Sequence, residues 1–112
     1  MEQPPRPDTG TRVMALLGLG AAGGNVVAGV DGTRAFLKRQ KCFAVVLASD
    51  ASPRAMEKVK RLAVATGIPI VIGPVADEIG ARLGRPPVMV VGVTDRALAA
   101  GILAASAPRD GT

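Results

Sequence analysis

A chain of 112 residues is the size of one domain and buries roughly two thirds of the surface its unfolded form exposes, so it needs no metal or disulfide support. A single cysteine, Cys42, excludes an intramolecular disulfide, and the lack of histidine excludes an ordinary zinc set and histidine-based acid–base chemistry. The net charge of +5 favours acidic partners, nucleic acid first and an anionic membrane surface second.

Residues 1–10, with three prolines and no periodicity, are expected to form a disordered lead-in to a single domain over 11–105, with 106–112 as a loose tail. Thr11 is a suitable cap for a helix through Arg12 to Leu19, on which Val13, Leu16, Leu17 and Gly20 keep helical spacing. Gly23-Gly24 ends it. Asn25 to Ala28 predicts a short edge strand, followed by a Gly29 to Gly32 turn with Asp31 as cap and a helix over Gly32 to Gln40. Phe43 to Ala48 is apolar throughout, as in a strand covered on both faces. Ser52 as N-cap and Pro53 at the first helical position start a third helix, with Met56, Val59, Leu62 and Ala63 inward and Arg54, Glu57, Lys58 and Arg61 outward; Gly67 closes it. Pro69 to Ile72 predicts a strand, Pro74 to Leu83 a helix ended by Gly84, and Val88 to Val93 a third apolar strand. Thr94 or Asp95 caps a last helix carrying Leu98, Ile102 and Leu103 inward.

Apolar strands alternating with helices imply an α/β domain with parallel pairing and helices on both faces of the sheet. With only Phe36 and Phe43 aromatic, the core must be aliphatic. The chain starts without a basic and apolar leader, and no apolar run approaches 18 residues, so a cytoplasmic location without membrane contact is expected.

The segment from Gly29 to Asp50 carries the strongest functional signal. Its charged residues between Gly32 and Ser49 are all cations, and Arg34, Lys38 and Lys41 stand at i, i+4, i+7, one helical stripe. A glycine turn, a helix start with free N–H groups and a cationic stripe behind it suit a phosphate-rich partner; the competing reading of the stripe is a solvated helix face. Arg85-Pro86-Pro87-Val88 is a second candidate contact, a rigid loop with one guanidinium and one exposed apolar residue. Gly18-Leu-Gly-Ala-Ala-Gly23 matches the dinucleotide fingerprint G-x-G-x-x-G, but glycines at 24, 29 and 32 interrupt the helix that should follow, and Lys38 stands near the place of the ribose-binding acid. Asp50 follows a predicted strand, where functional carboxylates occur, but a cap for the helix at Pro53 is the favoured reading. Ser49 has no histidine to activate it, and Cys42 suits a small buried position. A non-enzymatic chain without cofactor or metal is expected.

Several pieces together resemble a known family: Leu16-Leu-Gly-Leu19 with Ala22-Gly23, Gly29 before a helix, Ala44 to Ala51, Gly67-Ile-Pro69, Glu78-Ile-Gly80 with Leu83-Gly84, and Val90 to Asp95. In order and spacing they are similar to the kink-turn-binding ribosomal-protein superfamily of archaeal seven-Ae and eukaryotic thirty-e type, nearest its small bacterial YlxQ-like members. The resemblance implies a three-layer α-β-α sandwich around a mixed, roughly four-stranded sheet. It also implies non-catalytic binding of structured RNA, with ribosomal or RNA-processing proteins as further partners. Gly29, Val30, Asp31, Gly32, Thr33, Arg34 and Ala35 would reach sheared G·A pairs, and Arg85 to Val88 would pack beside a flipped-out base. The family's Asn, Glu and Lys places hold Asp31, Gly32 and Ala35 here. A carboxylate accepts from guanine edges but cannot donate as an amide does, so this chain is expected to hold a standard kink-turn less tightly, with Arg34 and Lys38 supplying phosphate attraction. A scaffold module of the same fold that has lost the RNA surface, or a dinucleotide-binding domain using Gly18 to Gly23, are the alternatives.

Overall fold

A computed structural model describes residues 9–106. Helix α1 (Thr9–Ala22) leads into β1 (Val26–Ala28), then α2 (Val30–Lys38), β2 (Ala44–Leu47), α3 (Pro53–Thr66), β3 (Ile70–Ile72), α4 (Ala76–Leu83), β4 (Val90–Val93) and α5 (Arg96–Ser106). The strands form one sheet in the order β1-β4-β2-β3. Residues 1–8 of the expected lead-in and 107–112 of the expected tail lie outside the described residues. Thr9 and Gly10 belong to α1, so that helix starts two residues ahead of the expected Thr11 cap, and Ser106 closes α5.

The sheet is mixed. Only β2 and β3 run parallel, with Val46 opposite Val71, while β4 is antiparallel to β1 and β2. The parallel pairing expected from alternating helices and strands holds for β2 and β3 alone: β4, last in sequence, inserts antiparallel between the first two strands, giving the mixed sheet the family resemblance implies. Its central place explains why β2 and β4 are buried along their whole length. Alternate side chains serve two cores. Val46, Val91 and Val93 join Val13, Leu17, Ile79 and Ile102 beneath α1, α4 and α5, while Val45, Leu47 and Val90 join Leu37, Val59 and Ala63 beneath α2 and α3. Each such valine, leucine or isoleucine side chain taken out of water contributes about 1.5–3 kcal/mol, against about 0–1 kcal/mol for a surface ion pair, so the two-faced apolar pattern sets the three layers.

Local signals place the helix ends. Ser52 Oγ accepts from the Ala55 N–H at 3.1 Å and Pro53 is the first residue of α3. Gly67 and Gly84 end α3 and α4 in the left-handed conformation. The last helix is capped by Asp95, whose carboxylate accepts from the Leu98 N–H at 2.8 Å, and not by Thr94.

Candidate nucleic-acid interface

The antiparallel ladder between β1 and β4 builds the candidate site. Ala28 pairs with Val91, so the residue that follows β1 meets the residues that precede and begin β4. The Gly29 N–H donates to the Val90 carbonyl at 2.8 Å. Two segments whose nearer ends, Val30 and Arg85, stand 55 positions apart in sequence, Ala28-Gly29-Val30 and Arg85 to Val90, thereby line one open pocket of about 390 Å³.

On one side of the pocket, α2 begins. Gly29 is its N-cap, at φ 101° and ψ 159°, a conformation essentially restricted to glycine. A glycine brings no capping side chain, so the first-turn N–H groups of Val30, Asp31 and Gly32 keep no acceptor within the helix. Such a helix start attracts anions. Asp31 is not the cap expected from sequence; the helix begins earlier, and Asp31 lies exposed in its first turn.

The other side is the loop from Arg85 to Met89. Arg85, Pro86 and Pro87 are exposed, while Val88 is only 7% exposed and Met89 39% exposed. The exposed apolar position expected at Val88 is thus one residue later, because β4 starts at Val90 and the alternation of buried and exposed residues turns Val88 inward. Proline, valine and methionine walls beside one guanidinium suit the flat face of an unstacked base better than a small polar substrate. Sequence reasoning missed Met89, although as the second residue of the apolar run that follows Pro86-Pro87 it stands where the alternation of a strand turns outward if Val88 turns inward.

The loop is held from below. The Arg85 N–H donates to the Gly80 carbonyl at 2.8 Å, and the Val88 N–H to the Ala76 carbonyl at 3.1 Å. The Ala76 N–H in turn donates to Asp50 Oδ1 at 2.8 Å. Asp50 therefore ties down the start of α4, not the helix at Pro53. A carboxylate after the central strand has here an architectural task that explains its position.

The other sequence-predicted residues divide. Thr33 is fully buried and its N–H donates to the Gly29 carbonyl, so its side chain does not face a ligand, contrary to expectation. Arg34 is half-buried and turns toward α3 rather than toward the pocket. Lys38 is exposed at the last position of α2. Lys41 lies beyond it, after Gln40 in a left-handed conformation, so helical spacing no longer relates Lys41 to Arg34 and Lys38. The stripe expected over Arg34, Lys38 and Lys41 stops at Lys38.

The glycine fingerprint is not a phosphate turn. Gly18 and Gly20 lie inside α1, and a side chain at Gly20 would collide with Leu98 and Val26, so the glycine lets α1 sit close to α5 and β1. No helix N-terminus follows Gly18 in the place a dinucleotide would need. Cys42 is buried, and its thiol donates to the Ala44 carbonyl at 3.2 Å. Burial pushes this thiol above its ordinary pKa of 9.0, against the smaller pull of backbone hydrogen bonds, so it stays protonated and unreactive at neutral pH. Among the described residues, no cluster of His, Cys, Asp and Glu could hold a metal ion, and no helix is long and apolar enough to cross a membrane.

The model of the ribosomal protein L7Ae/L30e/S12e/Gadd45 family matches residues 11–100. The chain belongs to this family. No curated protein matches it by sequence. Among solved structures, a protein of unknown function from Bacillus halodurans C is similar with a TM-score of 0.80 and 22% identity, over 84% of this chain and 95% of that one. A 15.5kD RNA binding protein of Giardia lamblia is similar with a TM-score of 0.73 and 20% identity, over 88% of this chain and 84% of that one. At these identities the two likenesses establish the shared mixed-sheet α/β fold.

Proposed function

We propose that this chain binds structured RNA without catalysing a reaction, seating a bent RNA of kink-turn type at the pocket between Gly29-Val30 and Arg85 to Met89. One observation carries the reading: the helix start and the proline loop, which the family resemblance assigns to G·A pairs and to a flipped-out base, line a single pocket. Membership of a ribosomal-protein family and the net charge of +5 support it. The protein then acts in the cytoplasm, ribosome- or RNA-associated, as its YlxQ-like resemblance implies.

Asp31, Gly32 and Ala35 modify that reading in a defined direction. Asp31 accepts hydrogen bonds from guanine but repels phosphate, and neither Gly32 nor Ala35 replaces the family's acceptor and cation. Affinity for a standard kink-turn is accordingly modest and leans on electrostatics. Gel-shift titrations with a kink-turn duplex and an unbent duplex at two salt concentrations test this: the bent RNA binds tighter, and both affinities fall steeply with salt. Failure of both RNAs to shift in a salt-sensitive way sinks it. Asp31→Asn, which restores an amide donor, widens the preference for the bent RNA.

A further inference from the structure

A second basic surface lies outside the pocket, in a cleft of about 280 Å³ between α2 and α3 lined by Arg34, Arg54, Glu57, Lys58 and Arg61. Arg54, Lys58 and Arg61 stand at i, i+4, i+7 on α3 and form one stripe, and Arg34 closes the opposite wall from α2. Four cations and one carboxylate leave the cleft with a net charge of +3. Among the described residues the one ion pair in this cluster joins Arg61 to Glu57 at 3.2 Å, both largely exposed, so Arg34, Arg54 and Lys58 are left without a carboxylate partner. Arg34 Nε is in addition shut off from water and has no hydrogen-bond acceptor. Buried guanidinium donors in native proteins normally have one, so Arg34 stands at the cleft wall without the oxyanion such a group usually keeps.

We propose that the α2–α3 cleft is a second RNA contact, which takes successive phosphates of the strand whose bent part seats at the Gly29/Arg85 pocket. The proposal rests on the RNA-binding reading above. From Arg54 to Arg61 the cationic stripe runs about 10 Å along α3, longer than a single phosphate, which suits a phosphodiester chain rather than one free anion. Helix α2 connects the two places: Val30 lines the pocket, and Arg34 reaches the cleft one turn later, about 6 Å along the axis. A strand leaving the pocket along α2 passes the cleft.

The test compares the wild type, Arg54→Gln/Lys58→Gln and Arg34→Gln in salt titrations with the kink-turn duplex, melting temperatures being recorded for each. Arg54 and Lys58 are exposed, so the double variant keeps the wild-type melting temperature. Loss of two phosphate contacts lowers the slope of log affinity against log salt by about 1.8 and narrows the gap between wild type and variant about tenfold from 50 to 200 mM salt. Arg34→Gln lowers the slope in the same direction. If the wild type binds RNA and the double variant shows the same slope and affinity, the cleft proposal is overturned while the RNA-binding reading stands; a wild type that binds neither duplex removes both. In a separate arm, inorganic phosphate that raises the melting temperature of the wild type but not of the double variant, with RNA binding equal in the two, assigns the cleft to a free anion and overturns the proposal.

Discussion

Gly80 lies directly beneath Pro86: a methyl group on its Cα would collide with the Pro86 carbonyl and approach the Arg85 carbonyl oxygen to 2.9 Å. Helix α4 and the proline loop touch here through backbone alone, and that contact sets the height of the loop above the pocket. Backbone cannot rotate out of the way as a side chain can, so Gly80→Ala must shift the loop. The expected cost is about 1–3 kcal/mol in urea denaturation, with weaker binding of the bent RNA. Gly18→Ala is the control. Its methyl would meet the flexible Arg82 side chain at 2.9 Å, which can move, and an alanine inside α1 gains about 0.5–1 kcal/mol of helix propensity. The two substitutions therefore differ in sign.

Asp50 holds the first turn of α4, and the carbonyl of the same Ala76 holds Val88. Asp50→Ala is expected to cost about 1–2 kcal/mol, the range for losing a charged acceptor at a helix start, whereas Asp50→Asn keeps an oxygen acceptor and costs less. Hydrogen exchange gives the sharper readout: the Val88 amide exchanges faster in Asp50→Ala, while amides of β2 stay as in the wild type. Equal protection of Val88 in both proteins would separate Asp50 from the loop.

Gly29 stands at φ 101° with nothing within 4 Å of where a Cβ would be. Space is available, so the cost of Gly29→Ala is conformational: about 1–3 kcal/mol, measurable by thermal or urea unfolding. If the chain relaxes instead, the hydrogen bond from the Gly29 N–H to Val90 is lost and the pocket widens, so RNA affinity falls with stability. A neutral effect on both would contradict the geometry of the turn.

Cys42 makes stability depend on alkaline pH. Its folded pKa lies above the unfolded value near 9.0, so the folded state keeps a proton that the unfolded chain releases first. The contribution is present in full below about 9 and is lost as pH rises through the folded value. Urea midpoints measured upward from pH 8 fall more steeply for the wild type than for Cys42→Ala, and a thiol reagent labels the native protein slowly at pH 7.5 but rapidly in urea.

Sequence by itself determined the elements whose cause is local. Ser52-Pro53 and Gly67 mark the two ends of α3, and the unbroken apolar runs around Val45 and Val91 mark strands covered on both faces, because caps and periodicity act within a few residues. Element ends that depend on distant partners were less legible. Asp31 reads as a cap until the glycine before it takes that place, and Val88 reads as exposed until β4 is seen to start at Val90. Strand order and direction had no local signature, since an apolar strand pairs equally well either way until the sheet chooses. That choice, β4 antiparallel between β1 and β2, is what sets Gly29 against Val90 and makes one pocket from two segments. Helix packing likewise decided the company of Arg34: periodicity assigns it to a stripe with Lys38 and Lys41, but α3 lies alongside α2 and brings it to Arg54, Lys58 and Arg61. Charge and spacing are written along the chain, whereas juxtaposition comes from burying both faces of one sheet at once.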